Sequence, residues 1–325
     1  MRIHRGFLGW GIFLILAGSI PLAVRAGYLS DDQLRNVGSL WPLILVGIGV
    51  GLILSRTRYG FLGGFIVAAT LGVIAGGLLA GSVGGFNIGC GDRGATAFAS
   101  RQGPLTSASA SIDLDFSCGN LTVAVAPGTN WQLDGQDRDG TGPNVAADND
   151  SLRVSSRNTD SGPFDALDNH ETWRVTLPDG PLLDTQLTLN AGSSTVDLAG
   201  ANLSRFETTL NAGSTTVDLG SVRRLDSLQV QINAGSITMT LPHQSVTGSL
   251  EVNAGSVELC AAPDAGVRIR TDESILASYD FSGLTKNGST WQTPGYDGAE
   301  IKIDLEAHAN AGSVSLDRSG GACGG

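Results

Sequence analysis

Two hydrophobic patterns divide the chain. Residues 1–89 contain three long apolar runs without internal charges, at about 7–24, 38–54 and 61–83. A helix needs about 20 apolar residues to cross the hydrocarbon core of a bilayer, and somewhat fewer when flanking side chains reach the interface. From residue 90 onward, short runs of alternating apolar and polar positions are separated by turn residues, which is typical of β-strands. The pattern predicts a membrane α-helical region over 1–89 and an all-β domain over 90–325.

Charges around the apolar runs predict the orientation of the membrane region. Arg2 and Arg5 precede the first run, and Arg56 and Arg58 lie in the short link between the second and third runs. Because cytoplasmic loops carry an excess of Lys and Arg, we expect the N-terminus and this link in the cytoplasm and the β-domain outside. A cleaved signal peptide ending near Ala26 is an alternative for the first run, and it leaves the β-domain outside as well. The chain is therefore predicted to be a multi-pass protein of the bacterial cytoplasmic membrane.

The predicted spans are rich in glycine at a four-residue spacing. Such G-x-x-x-G pairs let helix backbones approach closely, so they favour self-association or contacts with other membrane proteins. The general abundance of glycine in membrane helices explains them equally well. The pairs are Gly47 with Gly51, Gly72 with Gly76, and Gly77 with Gly81.

A four-residue motif, called the corner phrase below, occurs five times in the β-domain. Copies of Asn-Ala-Gly-Ser followed by alternating apolar positions begin at Asn190, Asn211, Asn233, Asn253 and Asn310. The first four copies are spaced by 21, 22 and 20 residues, and a period near 20 indicates stacked repeats. Because apolar residues alternate on both sides of each copy, each repeat is predicted as a strand, a tight corner and a second strand. Stacking these coils gives a single-stranded β-solenoid with one continuous core.

The corners are assigned to the asparagines and glycines of the phrase. Both residue types tolerate positive φ at little cost. Equivalent asparagines about 4.8 Å apart can also form a hydrogen-bonded ladder. Ser117-Cys118-Gly119-Asn120 is predicted to be an earlier, degenerate corner. The predicted structural corners are Asn190, Gly192, Asn211, Gly213, Asn233, Gly235, Asn253, Gly255, Asn310 and Gly312.

Two excursions interrupt the repeats, near 128–180 and 264–300. They hold most of the large aromatic residues of the β-domain. Since loops on a rigid scaffold commonly carry binding residues, these rings are predicted as a partner surface. The alternative is that they close the ends of the stack. The rings belong to Trp131, Trp173, Trp291, Tyr279 and Tyr296.

The weak candidates for a catalytic or metal-binding site are acidic residues. Asp197 and Asp218 occupy equivalent positions in adjacent repeats, as paired glycosidase carboxylates or Ca²⁺ ligands would, although a solvated face explains them better. Asp137, Asp139 and Asp148 have the spacing of a Ca²⁺ loop, but Pro143 lies in it and no helices flank it. A hairpin loop is the preferred interpretation there. The four histidines are scattered without metal-ligand spacing and no catalytic motif appears, so no enzyme activity and no cofactor are predicted.

Four cysteines fall in the predicted extracytoplasmic domain: Cys90, Cys118, Cys260 and Cys323. An even number in an oxidising compartment permits disulfides, with three connectivities open. The sequence Asn87–Cys90 also weakly matches a lipidation site.

The charge is unevenly distributed. The chain has 325 residues and a net charge of −11. Residues 1–89 hold six Arg and two Asp, which gives +4, so the remainder carries −11 − 4 = −15. An acidic domain repels nucleic acid, and nucleic-acid binding is therefore not predicted.

The run beginning Leu40-Trp41-Pro42 resembles the LiaI–LiaF-type transmembrane region of bacterial envelope proteins, and the N-A-G-S array resembles the toast-rack domains found with it. LiaF-like regions often have four spans, and an even number would place the β-domain in the cytoplasm. The resemblance implies a non-enzymatic regulator of envelope stress that contacts other membrane proteins, such as a sensor kinase. The alternatives are a surface adhesin or structural module that binds envelope polymer, and a carbohydrate-active β-helix enzyme.

Overall fold

A computed structural model describes Ile15 and residues 95–157, 170–272, 274 and 276–318. The chain divides at Ile88–Gly89 into two units, and all described residues except Ile15 lie in the second. The three predicted spans, Cys90 and Cys323 lie outside the described residues. Within the part that is described, no helix combines the length and apolar character needed to cross a membrane.

The described part of the second unit is all-β. Its strands are joined by short turns and by one 3₁₀ turn at Tyr296–Gly298. The strands are β1 (Thr96–Ala97), β2 (Arg101–Pro104), β3 (Ser109–Ala126), β4 (Asn130–Asp137), β5 (Asn144–Asp148), β6 (Ser151–Ser155), β7 (Glu171–Pro178), β8 (Leu182–Asp197), β9 (Asn202–Leu210), β10 (Ser214–Asp218), β11 (Arg224–Ile232), β12 (Gly235–Thr240), β13 (Val246–Cys260), β14 (Gly266–Thr271), β15 (Ala277–Phe281), β16 (Thr285–Asn287), β17 (Thr290–Gln292) and β18 (Lys302–Asp317).

The repeats stack in parallel and in register. Each repeat contributes one rung, which consists of a strand segment before the corner and a segment after it. After the corner, β10 pairs in parallel with β8 on one side and β12 on the other. Before the corner, β9 pairs with β8 and β11 in the same way. Each predicted repeat therefore becomes one rung of a parallel stack.

At both ends, the order of the rungs differs from the order of the chain. β3 lies between β8 and a rung made of β6 and β7, although both follow β3 in sequence. At the other end, β18 lies between β13 and the rung made of β14 and β15. At the C-terminal end, the chain passes one position beyond β13 to form the rung of β14 and β15, and β18 then fills the position between them. At the other end, the chain leaves β3 on one side to form β6 and β7 and returns on its other side as β8.

The two excursions close the ends of this stack. At one end, β4 pairs antiparallel with β7, and β5 pairs antiparallel with β6. At the other end, β17 pairs antiparallel with β14, and β16 with β17. Antiparallel end strands cover main-chain groups that would otherwise form an open sheet edge.

The predicted alternation is confirmed by burial. The side chains immediately before the corner asparagines are almost fully buried, as are the alternate positions after the corner. Intervening side chains are exposed or half-buried. One continuous apolar core therefore runs along the inside of the stack. Its columns include Leu189, Leu210, Ile232 and Val252 before the corner, and Val196, Val217, Met239 and Leu259 after it.

The corner glycines have positive φ, as predicted. Gly192 has φ 107° and Gly213 has φ 119°. A Cβ atom on Gly213 would lie 2.0 Å from the carbonyl oxygen of Gly192 in the next rung. Glycine is required here by both conformation and close approach. The prediction was wrong for the asparagines, because no described residue other than glycine has positive φ.

The corner asparagines form the predicted ladder through their side chains. The Nδ2 of Asn211 donates to Oδ1 of Asn190 at 2.7 Å, and the Nδ2 of Asn233 donates to Oδ1 of Asn211 at 2.6 Å. Asn253 and Asn310 continue the ladder at 2.9 Å and 2.7 Å. At the opposite end, Asn190 donates to the carboxylate of Asp115 at 2.9 Å. Donation runs in the same direction throughout and joins all five repeats, since an amide can donate and accept at once.

Candidate functional site

The stack presents two outer faces, one on each side of the corner. We call them the pre-corner face and the post-corner face. Each consists of the outward side chains of the strand segments that precede or follow the corner. Because successive side chains of a strand point to opposite sides, every second residue of a rung lies on such a face. Register partners in adjacent rungs lie about 4.8 Å apart.

The post-corner face carries rows of hydroxyl groups. One row consists of serines that are register partners from rung to rung. A second row consists of threonines two residues further along. Neighbouring Ser193 and Ser214 hydroxyls lie 3.2 Å apart. The rows are Ser193, Ser214, Ser236, Ser256 and Ser313, and Thr122, Thr195, Thr216 and Thr238.

Asp197 and Asp218 lie at the edge of the post-corner face. They are exposed register partners, as their equivalent sequence positions suggested. Each caps the turn that follows it: Asp197 accepts the N–H of Ala199 at 3.0 Å, and Asp218 accepts that of Gly220 at 2.8 Å. Side chains that bond their own backbone two residues on are common in turns. The pair therefore has a structural role at the ends of its strands.

The pre-corner face carries charged side chains arranged in ion pairs. Arg205 bonds Asp184 at 3.0 Å and lies 3.3 Å from Glu207. Asp304 and Glu306 lie three rungs from Arg205, on β18, and Arg270 on the following rung lies 3.1 Å from Asp304 and 3.4 Å from Glu306. Arg268 also bonds Asp304. Between these two groups lie the uncharged side chains of Ser227, Gln229, Thr247 and Ser249. The result is a depression of about 300 Å³ on the pre-corner face.

The segment that weakly matches a Ca²⁺ loop contains a turn held by its own carboxylates. Asp137 accepts the N–H of Gly140 at 2.6 Å and that of Gly142 at 2.7 Å. Asp139 accepts the hydroxyl of Thr141 at 2.6 Å, which lowers the pKa of its carboxyl. Asp148 lies on exposed β5. Among the described residues, no three acidic, His or Cys side chains are grouped to hold a metal ion.

Glu171 is a buried acid that the sequence analysis missed. It is 3% exposed, and its carboxylate accepts the Ser156 hydroxyl at 2.6 Å. Ser156 in turn accepts the backbone N–H of Ser117. Burial, reinforced by the negative charge of Asp137, raises the pKa of Glu171 to about 7 against the opposing effect of Ser156. The signal was present in the sequence, because Glu171 shares the inward register of Trp173, Val175 and Leu177.

The aromatic rings of the excursions close the core at the ends of the stack. Trp131, Trp173 and Tyr296 are buried. Trp173 packs edge-on against Phe116, with ring centroids 4.9 Å apart. Trp291 is half-buried and packs edge-on against Phe281. The prediction of an aromatic partner surface was wrong for the three buried rings, because the terminal rungs need apolar cover.

Cys118 and Cys260 are both disulfide-bonded. Their rungs are separated by four strand steps, from β3 through β8, β10 and β12 to β13. The separation is about 19 Å along the stack, whereas bonded cysteines have Cα atoms at most about 7 Å apart. A bond between Cys118 and Cys260 is therefore excluded, and two of the three predicted connectivities remain.

Comparison with known families supports the fold. Residues 101–242 match Toast_rack_N, the N-terminal domain of toast_rack, DUF2154. The predicted toast-rack resemblance is confirmed for this part of the chain. The match extends from β2 to the residues after β12, and it includes the first excursion and three copies of the corner phrase. No curated protein matches the sequence.

Solved structures of similar architecture come from proposed adhesins. A proposed cell adhesion protein from Clostridium sporogenes is 16% identical with a TM-score of 0.48, over 70% of this chain and 100% of that chain. A proposed adhesin from Bacteroides fragilis is 11% identical with a TM-score of 0.26, over 68% and 97%. One from Parabacteroides merdae is 8% identical with a TM-score of 0.25, over 70% and 98%. At these values the likeness carries no argument.

Proposed function

We propose that the β-domain is an adhesin-like, non-catalytic β-solenoid module that binds a polymer of the bacterial envelope. The observation that supports this most directly is the pair of hydroxyl rows on the post-corner face. These rows repeat at the strand spacing of about 4.8 Å, on a scaffold tied together by the asparagine ladder. Hydroxyl groups both donate and accept hydrogen bonds, so the rungs of β8, β10 and β12, which carry both rows, offer the same contacts in succession.

A periodic surface suits a periodic ligand. An extended glycan advances by about one strand spacing per sugar, so successive sugars can meet equivalent hydroxyls on successive rungs. Each contact alone is weak, but linked contacts add because each later one is intramolecular. The proposal therefore requires a long polymer rather than a small molecule. In this proposal the region 1–89 is a three-span membrane anchor that places the domain outside the cell.

Cosedimentation with isolated cell walls tests this proposal. The full-length protein, purified in detergent micelles, is expected to sediment with the walls in a saturable manner. Replacing Thr195 and Thr216 together by lysine interrupts the threonine row, and we expect at least tenfold weaker binding. The matched control replaces Thr188 and Thr209, which are register partners on the pre-corner face, by lysine. Equal binding by the two double variants, or no sedimentation of the wild type, would contradict the proposal.

A second candidate is regulation of envelope stress through contacts with other membrane proteins, a sensor kinase among them. It is favoured by the Leu40-Trp41-Pro42 run, which resembles LiaI–LiaF-type regions. Deleting the gene distinguishes the two functions. A regulator should change an envelope-stress reporter, whereas an adhesin-like module should change attachment and leave the reporter unaltered.

A further inference from the structure

The depression on the pre-corner face has a definite construction. Its floor consists of Ser227 and Gln229 from one rung and Thr247 and Ser249 from the next, which are register partners. Long charged side chains border it along the stack: Arg205 and Glu207 precede Ser227 and Gln229, and Asp304 and Glu306 follow Thr247 and Ser249. These four uncharged side chains, three of them short, lie between the two charged groups and make a trough two rungs wide. We call it the polar trough.

The charges around the polar trough nearly cancel. On one side, Asp184, Arg205 and Glu207 sum to −1. On the other, Arg268, Arg270, Asp304 and Glu306 sum to zero. The guanidinium groups of Arg205, Arg268 and Arg270 are already engaged by carboxylates. An anionic ligand would have to displace these carboxylates, so charge does not favour phosphate-rich or acidic polymers.

The lining instead suits an uncharged ligand with many hydroxyls. Serine and threonine hydroxyls and the Gln229 amide can each donate and accept, Arg270 donates, and Glu306 accepts. A volume of about 300 Å³ is at the lower end for ligand sites and accommodates one or two sugar rings.

From this arrangement we infer that the polar trough is a binding subsite for one or two uncharged sugar rings of a linear polysaccharide. The inference rests on the proposed function and adds the position and chemical class of one contact. The trough and the hydroxyl rows lie on different faces, so each can be altered without touching the other.

Titration with uncharged tetrasaccharides tests the inference. Full-length protein in detergent micelles is titrated by calorimetry with chitotetraose, cellotetraose and maltotetraose, and at least one is expected to bind. Ser249→Leu fills the floor and should weaken that binding at least tenfold. Ser249→Ala removes one hydroxyl but leaves the trough open, so the loss should stay within about threefold. Thr188→Leu on the same face is the control and should bind as the wild type does, with all far-ultraviolet circular dichroism spectra unchanged.

The possible failures are distinguishable. If a tetrasaccharide binds and Ser249→Leu binds it as tightly as the wild type, the trough is not the subsite. If none binds while the protein still sediments with cell walls, the subsite is wrong and the proposed function stands. If neither tetrasaccharides nor cell walls bind, both the subsite and the proposed function are wrong.

Discussion

Replacing Gly213 by alanine tests the close packing of successive corners. Gly213 has φ 119°, and its added Cβ would lie 2.0 Å from the carbonyl oxygen of Gly192 and 3.0 Å from the nitrogen of the same residue. The atoms it meets are backbone atoms of the neighbouring rung, which cannot rotate away as a side chain can. The carbonyl of Gly213 itself accepts the N–H of Ser236 in the next rung, so a displaced corner also disturbs the following one.

Two costs add at this position. A non-glycine residue in the left-handed region costs about 1–2 kcal/mol. Forcing a methyl group into a packed site costs about 1–3 kcal/mol more. Gly213→Ala should therefore lower the free energy of unfolding by about 2–5 kcal/mol in sum. Gly200 provides the control, since it has φ 81° and no atom within 4 Å of an added Cβ. Gly200→Ala should lower the free energy of unfolding only by the conformational cost of about 1–2 kcal/mol.

Urea unfolding of the two variants and the wild type measures the difference. The signal is the β-sheet circular dichroism of the purified full-length protein, and the slope with urea shows whether the variants unfold the same surface. Thermal unfolding gives a second measure, since about 1 kcal/mol shifts Tm by about 2–4 °C for a domain of this size. If Gly213→Ala loses no more stability than Gly200→Ala, successive corners are not in contact and the reasoning fails.

Three further predictions concern the ladder, the buried acid and the cysteines. Asn233→Ala removes two ladder hydrogen bonds and should lower the free energy of unfolding by about 2–3 kcal/mol. Asn310→Ala, at the end of the ladder, removes one and should lower it by about 1 kcal/mol. Equal losses in urea unfolding would contradict a continuous ladder. Since the folded pKa of Glu171 is about 7, above its usual 4.5, the native state binds the extra proton, and stability should fall as pH rises from about 4.5 to 7. Glu171→Gln should reduce the loss between pH 4 and pH 8 by up to about 3 kcal/mol, and an unchanged pH dependence would show that the acid is not buried. From Arg318, the five residues to Cys323 reach at most about 18 Å, and a disulfide adds at most about 7 Å between Cα atoms. Cys118 lies five rungs away, about 24 Å along the stack, and about 20 Å across it, because Cys118 lies at the corner and Arg318 lies six residues beyond the corner Gly312. The total of about 31 Å exceeds this reach. Peptide mapping of the unreduced protein should therefore find Cys260 bonded to Cys323 and Cys90 bonded to Cys118, and a Cys118–Cys323 peptide would contradict this.

Local patterns allowed the rungs and corners to be predicted. Strict alternation around Leu210 and Val217 determined which side chains are inside, because the side-chain period of a strand is two. The glycine corners followed from residue type. For the asparagines the ladder was predicted correctly and positive φ was not. Residue type allows both properties, and only the register of neighbouring rungs distinguishes them.

The ends of the stack and the candidate sites could not be predicted in the same way. No local pattern indicates that β14 and β15 form a further rung beyond β18, because neither strand carries the repeated motif. Likewise, Ser249 and Arg270 meet only through the register of β18 with its two neighbours. The polar trough is therefore a property of stacking rather than of any motif.

The distances from Ser193 to Ser313 and to Ser278 test the stack and its inserted rung most directly. Introduced cysteines at these outward positions can be spin-labelled in pairs, since Cys118 and Cys260 are already bonded. Ser313 is four register steps from Ser193, and Ser278 is one step beyond Ser313. Pulsed electron paramagnetic resonance should therefore give about 19 Å for the Ser193–Ser313 pair and about 24 Å for the Ser193–Ser278 pair, despite the shorter sequence separation of the latter. The reverse order would mean that the rungs follow the chain, and distances unrelated to the strand spacing would contradict the parallel stack itself.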